Sequence, residues 1–383
     1  MGTHGPGSPG RLLHVAAVDF TAAKLLAPQL AALDRAGFLV RLTCGRSSEQ
    51  LWSDLQAFQP AEIEFSRSLR PRQTLRAVLA LVREVRAWRP DVLHLHTPAA
   101  SLPVRLLPRW IWPKGLKIVY TVHGYLHAWP PRGATGHILQ RLEQQLAKKT
   151  DLMLFQSAED YEESRRRGYR SALSLLGNGV EDSWFEFPIR ERKDGPLRVL
   201  YVGRLVREKG ILDLVEAVAR VPDIRLDIVG SGLPSDRDPV DQEVQRAVDR
   251  FRLRGRVHMH GELPKAAVGR AMKEADVLCL PSYREGVPRS VIEALAAGRP
   301  ALVSDIRGCR ELVTEGINGA LFPAGDVEAL AGKLKRLVAM APVDLLSMAR
   351  RARASVDPSR REAAVIRTLV NSYEVLGVKA WTP

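Results

Sequence analysis

The chain has 383 residues, 45% of them hydrophobic, and a formal net charge of +14. That length exceeds one ordinary core, so two domains of a globular protein are expected. No run of about 18 uncharged apolar residues occurs, which excludes a spanning helix, and the apolar run Leu12–Val18 is too short for a signal peptide.

Residues 1–10, rich in Gly and Pro, are expected to be disordered. From there strand and helix patterns alternate. The first half predicts strands at Leu12–Val18, Leu39–Cys44, Ile63–Phe65, Val92–His96, Lys117–Thr121 and Leu152–Gln156. The second predicts them at Arg198–Val202, Arg225–Val229, Val257–His260, Val277–Leu280, Ala301–Ser304 and Ala320–Phe322. Near-continuous apolar strands separated by helices argue for parallel sheets covered on both faces. The fold class is therefore α/β, with two doubly wound, Rossmann-like domains facing across a cleft. The expected divisions are 11–185, a polar, proline-punctuated linker 186–196, a second domain 197–357, and a closing helix and tail 358–383. Cys44, Cys279 and Cys309 have no metal-type spacing and read as buried thiols in a reducing compartment.

The charge is uneven. From Arg67 to Lys149 there are 15 Arg and Lys against Glu84, Asp91 and Glu143. Within this stretch Arg105, Arg109, Lys114 and Lys117 interleave with Trp110 and Trp112. Such a pattern suits an anionic bilayer surface. A solvated basic face and a nucleic-acid surface are the competing readings.

Six segments carry candidate chemistry. In Ser282-Tyr-Arg-Glu285-Gly-Val-Pro-Arg-Ser-Val-Ile-Glu293, the apolar strand before Pro281 gives way to a helix with Pro288 at its first position, stopped by Gly298 and Pro300. Glu285 then stands in the strand-to-helix loop and Glu293 inside the helix. The free N–H groups at that helix start make an anion site. After strand Val199–Val202, Gly203 permits a tight turn and close ligand approach, and Arg204 and Lys209 suit a diphosphate. Gly230-Ser-Gly232 is an incomplete dinucleotide signature, with Ser235 in the third glycine's place, and reads as a strand-end turn lining a nucleotide pocket. Asp236-Arg-Asp238 has metal-site spacing but lies in a loop that reads as solvated. His94 and His96 share one strand face; with no third ligand evident they read as hydrogen-bonding groups. His123, beside Gly124 at a strand's carboxyl end, is placed to touch a ligand.

These segments resemble the retaining glycosyltransferases of family 4, from about Leu12 to the closing helix. The likeness is densest in Val202-Gly-Arg-Leu-Val-Arg-Glu-Lys-Gly210, in Leu280 to Pro300, and in Gly308-Cys-Arg-Glu-Leu-Val leading to Asn318 through Asp326. Asp91 to Pro98 and Val119 to Gly124 look like the branch that builds capsular polysaccharide, exopolysaccharide and O-antigen. The resemblance implies the GT-B fold and a retaining, metal-independent hexosyl or N-acetylhexosaminyl transferase. It also implies a UDP-sugar donor, a polyprenyl-diphosphate-linked saccharide acceptor, and a cytoplasmic enzyme peripheral on the inner face of the cell membrane. No cofactor and no nucleic-acid partner are expected. The implied roles are Arg204 and Lys209 on the donor diphosphate, Glu285 and the amides of Gly286 and Val287 on the transferred sugar, Glu293 on the ribose, Gly261 toward the base, and His123 near the sugar's reacting face. Many members carry a Gly-Gly loop after the first strand; here that place is Val18-Asp19-Phe20-Thr21-Ala22-Ala23.

Two rival functions remain on sequence grounds. A UDP-sugar epimerase shares the fold, but its acid/base carboxylates are not recognisable here. A basic nucleic-acid-binding protein is the other, with no recognition motif beside the basic stretch.

Overall fold

Apolar strands that are buried on both faces organise two parallel sheets. The computed structural model describes residues 8–65, 70–125, 133–189, 191–233, 236 and 238–381. The first sheet contains β1 (Arg11–Val18), β2 (Leu39–Gly45), β3 (Ala61–Glu62), β4 (Val92–Leu95), β5 (Lys117–Val122), β6 (Leu152–Phe155) and β7 (Ala172–Leu175). Their spatial order is β3-β2-β1-β4-β5-β6-β7. The second sheet contains β8 (Leu197–Val202), β9 (Ile224–Val229), β10 (Val257–Met259), β11 (Val277–Leu280), β12 (Ala301–Ser304) and β13 (Gly319–Phe322). Its order is β10-β9-β8-β11-β12-β13. Every residue of β4, β6, β11 and β12 is buried, as strands covered by helices on both faces require.

The chain packs into two units, Met1–Gly177 with Val365–Pro383, and Asn178–Ala364. Segment 186–196, expected as a linker, lies in the second unit, where the adjoining Trp184 is buried in the core. The helix Glu362–Val375 leads the chain back to the first unit. There Val365, Leu369 and Tyr373 pack with Leu12, Phe38, Val92 and Val119.

Several local expectations are corrected. Of residues 1–10, expected to be disordered, 1–7 lie outside the described residues. Gly10, however, is buried, and its N–H donates to the Lys379 carbonyl at 2.9 Å. The edge strand expected at Ile63–Phe65 is Ala61–Glu62, because Thr43 and Cys44 of β2 pair with those two residues. Ile63 and Phe65 are buried beyond the strand's end. Strand β7 was not expected; it is a half-exposed edge without a continuous apolar run. Residues 21–23, expected as a loop, are helical. The turn Asp19–Thr21 runs into a π-helical stretch Ala22–Leu26 and then the helix Ala27–Arg35. Pro28 supplies no N–H to continue an α pattern across that junction. All three cysteines are free and buried.

Candidate active site

In the second sheet β8 lies between β9 and β11, so strand order reverses between β8 and β11. Open α/β sheets bind ligands outside the strands' carboxyl ends at such a reversal. The turns after these strands hold Gly203, Arg204 and Lys209 (after β8), Gly230 (after β9), Gly261 (after β10) and Glu285 (after β11). The turns are packed against each other. The Gly230 N–H donates to the Gly261 carbonyl at 2.8 Å. Gly230 has φ +129°, and a Cβ there would lie 1.9 Å from the Gly203 carbonyl oxygen. No larger residue fits without moving the backbone.

Lys209 and Glu285 meet at this point. Lys209 Nζ donates to the two Glu285 carboxylate oxygens at 2.7 and 2.8 Å, and the Ser282 hydroxyl donates to the same carboxylate at 2.7 Å. Both side chains are mostly covered. An ammonium has three N–H donors, so Lys209 keeps capacity for an anion while Glu285 fixes its position. Ser282 was not singled out in the sequence, although its place three residues before Glu285 suits a local hydroxyl-to-carboxylate bond.

Arg204 is anchored on both sides. The buried Tyr201 hydroxyl donates to its carbonyl at 2.8 Å. Its guanidinium pairs with Asp236 and lies 3.6 Å from Glu208. The Asp236 side chain is only 2% exposed, and Asp238 pairs with Arg207 at 2.9 Å. The solvated-loop reading of Asp236-Arg-Asp238 is therefore corrected at Asp236, which is covered and paired with Arg204, while Asp238 stays exposed and pairs with the exposed Arg207. The distance in sequence, 32 residues, hid the Asp236–Arg204 pair. Ser235, in the third glycine's place, lies outside the described residues.

The loop after β11 closes on a second tight glycine contact. Gly308 has φ +80°, and a Cβ there would fall 1.4 Å from the Gly286 carbonyl oxygen. Val287 is buried, and its carbonyl accepts from the Asn178 side chain at 2.9 Å. Among the described residues the amide N–H groups of Gly286 and Val287 have no backbone partner. The following helix is Arg289–Ala296, with Pro288 in extended geometry at its N-cap rather than at its first position. It has eight residues, just over two turns, and ends before Gly298 as expected. Glu293 lies in its second turn, 14% exposed and 3.9 Å from Arg289. Burial lifts its carboxyl to about 7, opposed by Arg289 and Lys265.

In the first unit the reversal falls between β1 and β4. Asp19, at the end of β1, is fully buried. Its carboxylate accepts the N–H groups of Phe20, Ser47 and Ser48 at 2.8, 2.7 and 3.0 Å, and the Ser47 hydroxyl. A carboxylate of the chain itself thus occupies the amide donors at this strand end. Beside it His14 pairs in register with His94 across β1 and β4. His14, His94 and His96 are buried, with candidate ligand atoms within 4.8 Å of one another. A third histidine therefore joins the pair that seemed isolated; only the pairing of β1 with β4, absent from sequence spacing, brings it there. The bonds form a chain rather than a converging ligand set. His94 is engaged by the Tyr373 hydroxyl through Nδ1 and by Thr121 Oγ1 through Nε2, both at 2.7 Å. His14 Nδ1 and His96 Nε2 share a 2.8 Å hydrogen bond, shorter than the roughly 3.3 Å that two nitrogens keep on a tetrahedral zinc. His123, half-buried after β5, lies 3.4 Å from His96 through Nε2, and burial lowers its pKa to about 4.

The basic, tryptophan-bearing stretch divides. Arg105 is 1% exposed, paired with Glu143 at 2.7 Å, with its guanidinium carbon 4.2 Å from the Tyr120 ring centroid. Trp112 is 4% exposed in the core beside β5. Neither can face a membrane, and both assignments are corrected: the Glu143 carboxylate and Tyr120 ring draw Arg105 inward, and Trp112 packs into the apolar core. Arg109 is exposed, donates to the Leu116 carbonyl and pairs with Asp151 at 3.2 Å. Lys117 is half-buried at the start of β5. Trp110 is 82% exposed, and Lys114 is exposed. With Arg86 and Arg89 they line a groove at the amino ends of β4 and β5. That is the opposite edge of the sheet from His96 and His123. Among the described residues no helix is long and apolar enough to cross a membrane.

Two family descriptions share the chain. Residues 26–184 match Glycosyltransferase Family 4, and residues 182–362 match Glycosyl transferases group 1. A glycogen synthase of Mycobacterium tuberculosis is 29% identical over 70% of this chain, which spans 64% of that protein's length. The putative glycosyltransferase EpsD of Bacillus subtilis is 25% identical over 85% of this chain and 87% of its own. The UDP-Gal:alpha-D-GlcNAc-diphosphoundecaprenol alpha-1,3-galactosyltransferase of Escherichia coli is 26% identical over 69% of this chain and 70% of its own. In fold, a sucrose-phosphate synthase of Thermosynechococcus elongatus matches with a TM-score of 0.79 at 20% identity, covering 96% of this chain and 99% of that one. Anabaena HepE, solved with UDP-glucose, matches with a TM-score of 0.74 at 18% identity, covering 95% and 99%. The chain belongs to the family 4 glycosyltransferases and has their GT-B fold, two Rossmann-like α/β domains.

Proposed function

We propose that this chain is a retaining glycosyltransferase that moves a hexosyl or N-acetylhexosaminyl group from a UDP-sugar to a polyprenyl-diphosphate-linked saccharide in surface-polysaccharide assembly, without a metal ion. The observation that carries the reading is the Lys209–Glu285 pair at the β8/β11 reversal, with Arg204 on the same turn as Lys209. One cation is tied to the carboxylate assigned to the sugar, so leaving group and transferred group are held by one construction. The lipid-linked acceptor in the galactosyltransferase's name supports the acceptor class, and a relative in Escherichia coli named for colanic acid biosynthesis supports the polysaccharide setting. UDP-glucose on HepE supports the donor class.

In this reading Arg204 and Lys209 offset the charge that grows on the departing diphosphate. Fixed cations aimed at developing charge act most strongly in the transition state. Glu285 and the amides of Gly286 and Val287 hold the sugar, Glu293 the ribose hydroxyls, Gly230 and Gly261 the strand-end turns toward the base, and His123 a sugar hydroxyl. The acceptor oxygen bonds to the anomeric carbon on the face from which UDP leaves, and the acceptor's proton passes to the departing phosphate oxygen. The exposed Trp110 and Lys114, with Arg86 and Arg89, are the membrane-facing part of the proposal. Acceptor-dependent release of UDP tests the reading; release without acceptor from every UDP-sugar, or none with any, would overturn it.

A further inference from the structure

We infer that His14 and His96 are positioning residues that hold His123 as the neutral Nδ1–H tautomer, so that His123 can donate a hydrogen bond but has no open nitrogen to take a proton. The inference rests on the proposed sugar-binding role of His123 and deepens it.

Three rings form a line: His14 Nδ1 to His96 Nε2 at 2.8 Å, then His96 Nδ1 to His123 Nε2 at 3.4 Å. Each neutral imidazole has one N–H, so one choice of direction fixes all three tautomers. At the far end His14 Nε2 is buried and has no partner among the described residues. Orphaned buried N–H groups are rarer than orphaned acceptors, which places the His14 proton on Nδ1, donating to His96. His96 then donates from Nδ1 to His123. At the near end Nε2 faces His96, which leaves Nδ1 for a side-chain hydrogen bond to Gln156. The far end therefore sets the direction for all three rings.

Neutrality of the line is secured by burial. It lowers the His14 pKa to about 3, that of His96 well below the ordinary value, and that of His123 to about 4. His94 takes no part in the line. Its two nitrogens are held by Tyr373 and Thr121, and its ring stacks on His96 with centroids 4.1 Å apart. It keeps the His96 plane fixed. A sugar hydroxyl arriving at His123 would meet an N–H that can turn from Gln156. An acceptor proton would find no base there, which leaves its removal to the departing phosphate.

The test is the ring-nitrogen tautomer in the full chain, read by long-range proton–nitrogen correlation on histidine-labelled protein. The expected result is a protonated Nδ1 at His14, His96 and His123. A protonated Nε2 at His123 in the wild type would overturn the inference. Two variants separate positioning from packing: H14N keeps an amide donor in the place of Nδ1, and H14L removes it. H14L should release the His96 and His123 tautomers and raise the donor KM about tenfold, the value of about one hydrogen bond, with kcat for bound donor little changed. H14N should restore both readouts. Equal KM effects from the two variants would overturn the inference, and so would a stoichiometric metal lost only in H14L. A wild type that releases no UDP from any UDP-sugar is a separate failure. It removes the donor reading, while the tautomers, which need no substrate, still decide the relay.

Discussion

Glu293→Gln probes the ribose assignment through a proton. Burial raises the Glu293 carboxyl from 4.5 to about 7, while Arg289 and Lys265 pull the other way. The folded protein therefore holds this proton more tightly than the unfolded chain does. The resulting stabilisation is fully present below the unfolded value of 4.5 and is lost as the pH rises through about 7. That displacement corresponds to about 3 kcal/mol, at about 1.4 kcal/mol per tenfold change in proton affinity. Glutamine has the same shape and no such proton. Between about pH 4.5 and about pH 8 the variant should gain about 3 kcal/mol of stability relative to the wild type. Ribose hydroxyls bond best to the ionised carboxylate, so UDP binding should expel the proton and strengthen as the pH rises toward about 7. In the variant, proton release should vanish and UDP affinity fall about 10- to 100-fold, the loss of a hydrogen bond to a charged group. Denaturant melts across pH give the first quantity. Calorimetry in two buffers of unequal protonation enthalpy gives the second. Parallel stability curves, or equal proton release from the two proteins, would refute the reasoning.

Other outcomes follow from the same geometry. Arg204→Ala and Lys209→Ala should each lower turnover about 100-fold or more, measured as steady-state UDP release; wild-type turnover in either would remove the diphosphate role. Activity should persist in EDTA, and a loss restored by Mn²⁺ or Mg²⁺ would contradict the metal-independent reading. Trp112→Ser should cost about 3–5 kcal/mol of stability in melts, as for other buried tryptophans. Trp110→Ser should change stability by less than about 0.5 kcal/mol yet reduce co-sedimentation with anionic liposomes. If Trp110→Ser pellets like the wild type on anionic and neutral vesicles alike, the membrane contact is wrong.

The sequence carried the sheets because parallel strands buried on both faces read as apolar runs, and β11 and β12 fall on their expected bounds. Edges were harder. Strand β7 lies half-exposed, and β3 is set by two residues of β2 rather than by its own pattern. At the candidate site, Arg204, Lys209, Glu285 and Glu293 were legible because each lies near a strand-to-helix turn marked by Gly or Pro. Their partners were not. Asp236 and His14 reach their positions through loop closure and strand order, which spacing does not encode; Ser282, three residues before Glu285, is a local partner that a hydroxyl in a loop does not by itself mark out. The tryptophan-and-arginine stretch misled for a related reason. Amphipathic residues look alike on a membrane face and in a core, and only packing showed that Arg105 meets Glu143 and Tyr120 while Trp110 meets solvent.

The central claim is sugar transfer from a UDP-sugar to a lipid-linked saccharide with retention. It is tested most directly by proton NMR of the product made from a polyprenyl-diphosphate-linked saccharide and a panel of UDP-hexoses and UDP-N-acetylhexosamines. The account predicts one new glycosidic bond per UDP released, with the anomeric configuration of the donor. An inverted configuration, or no acceptor-dependent product from any member of the panel, would contradict it.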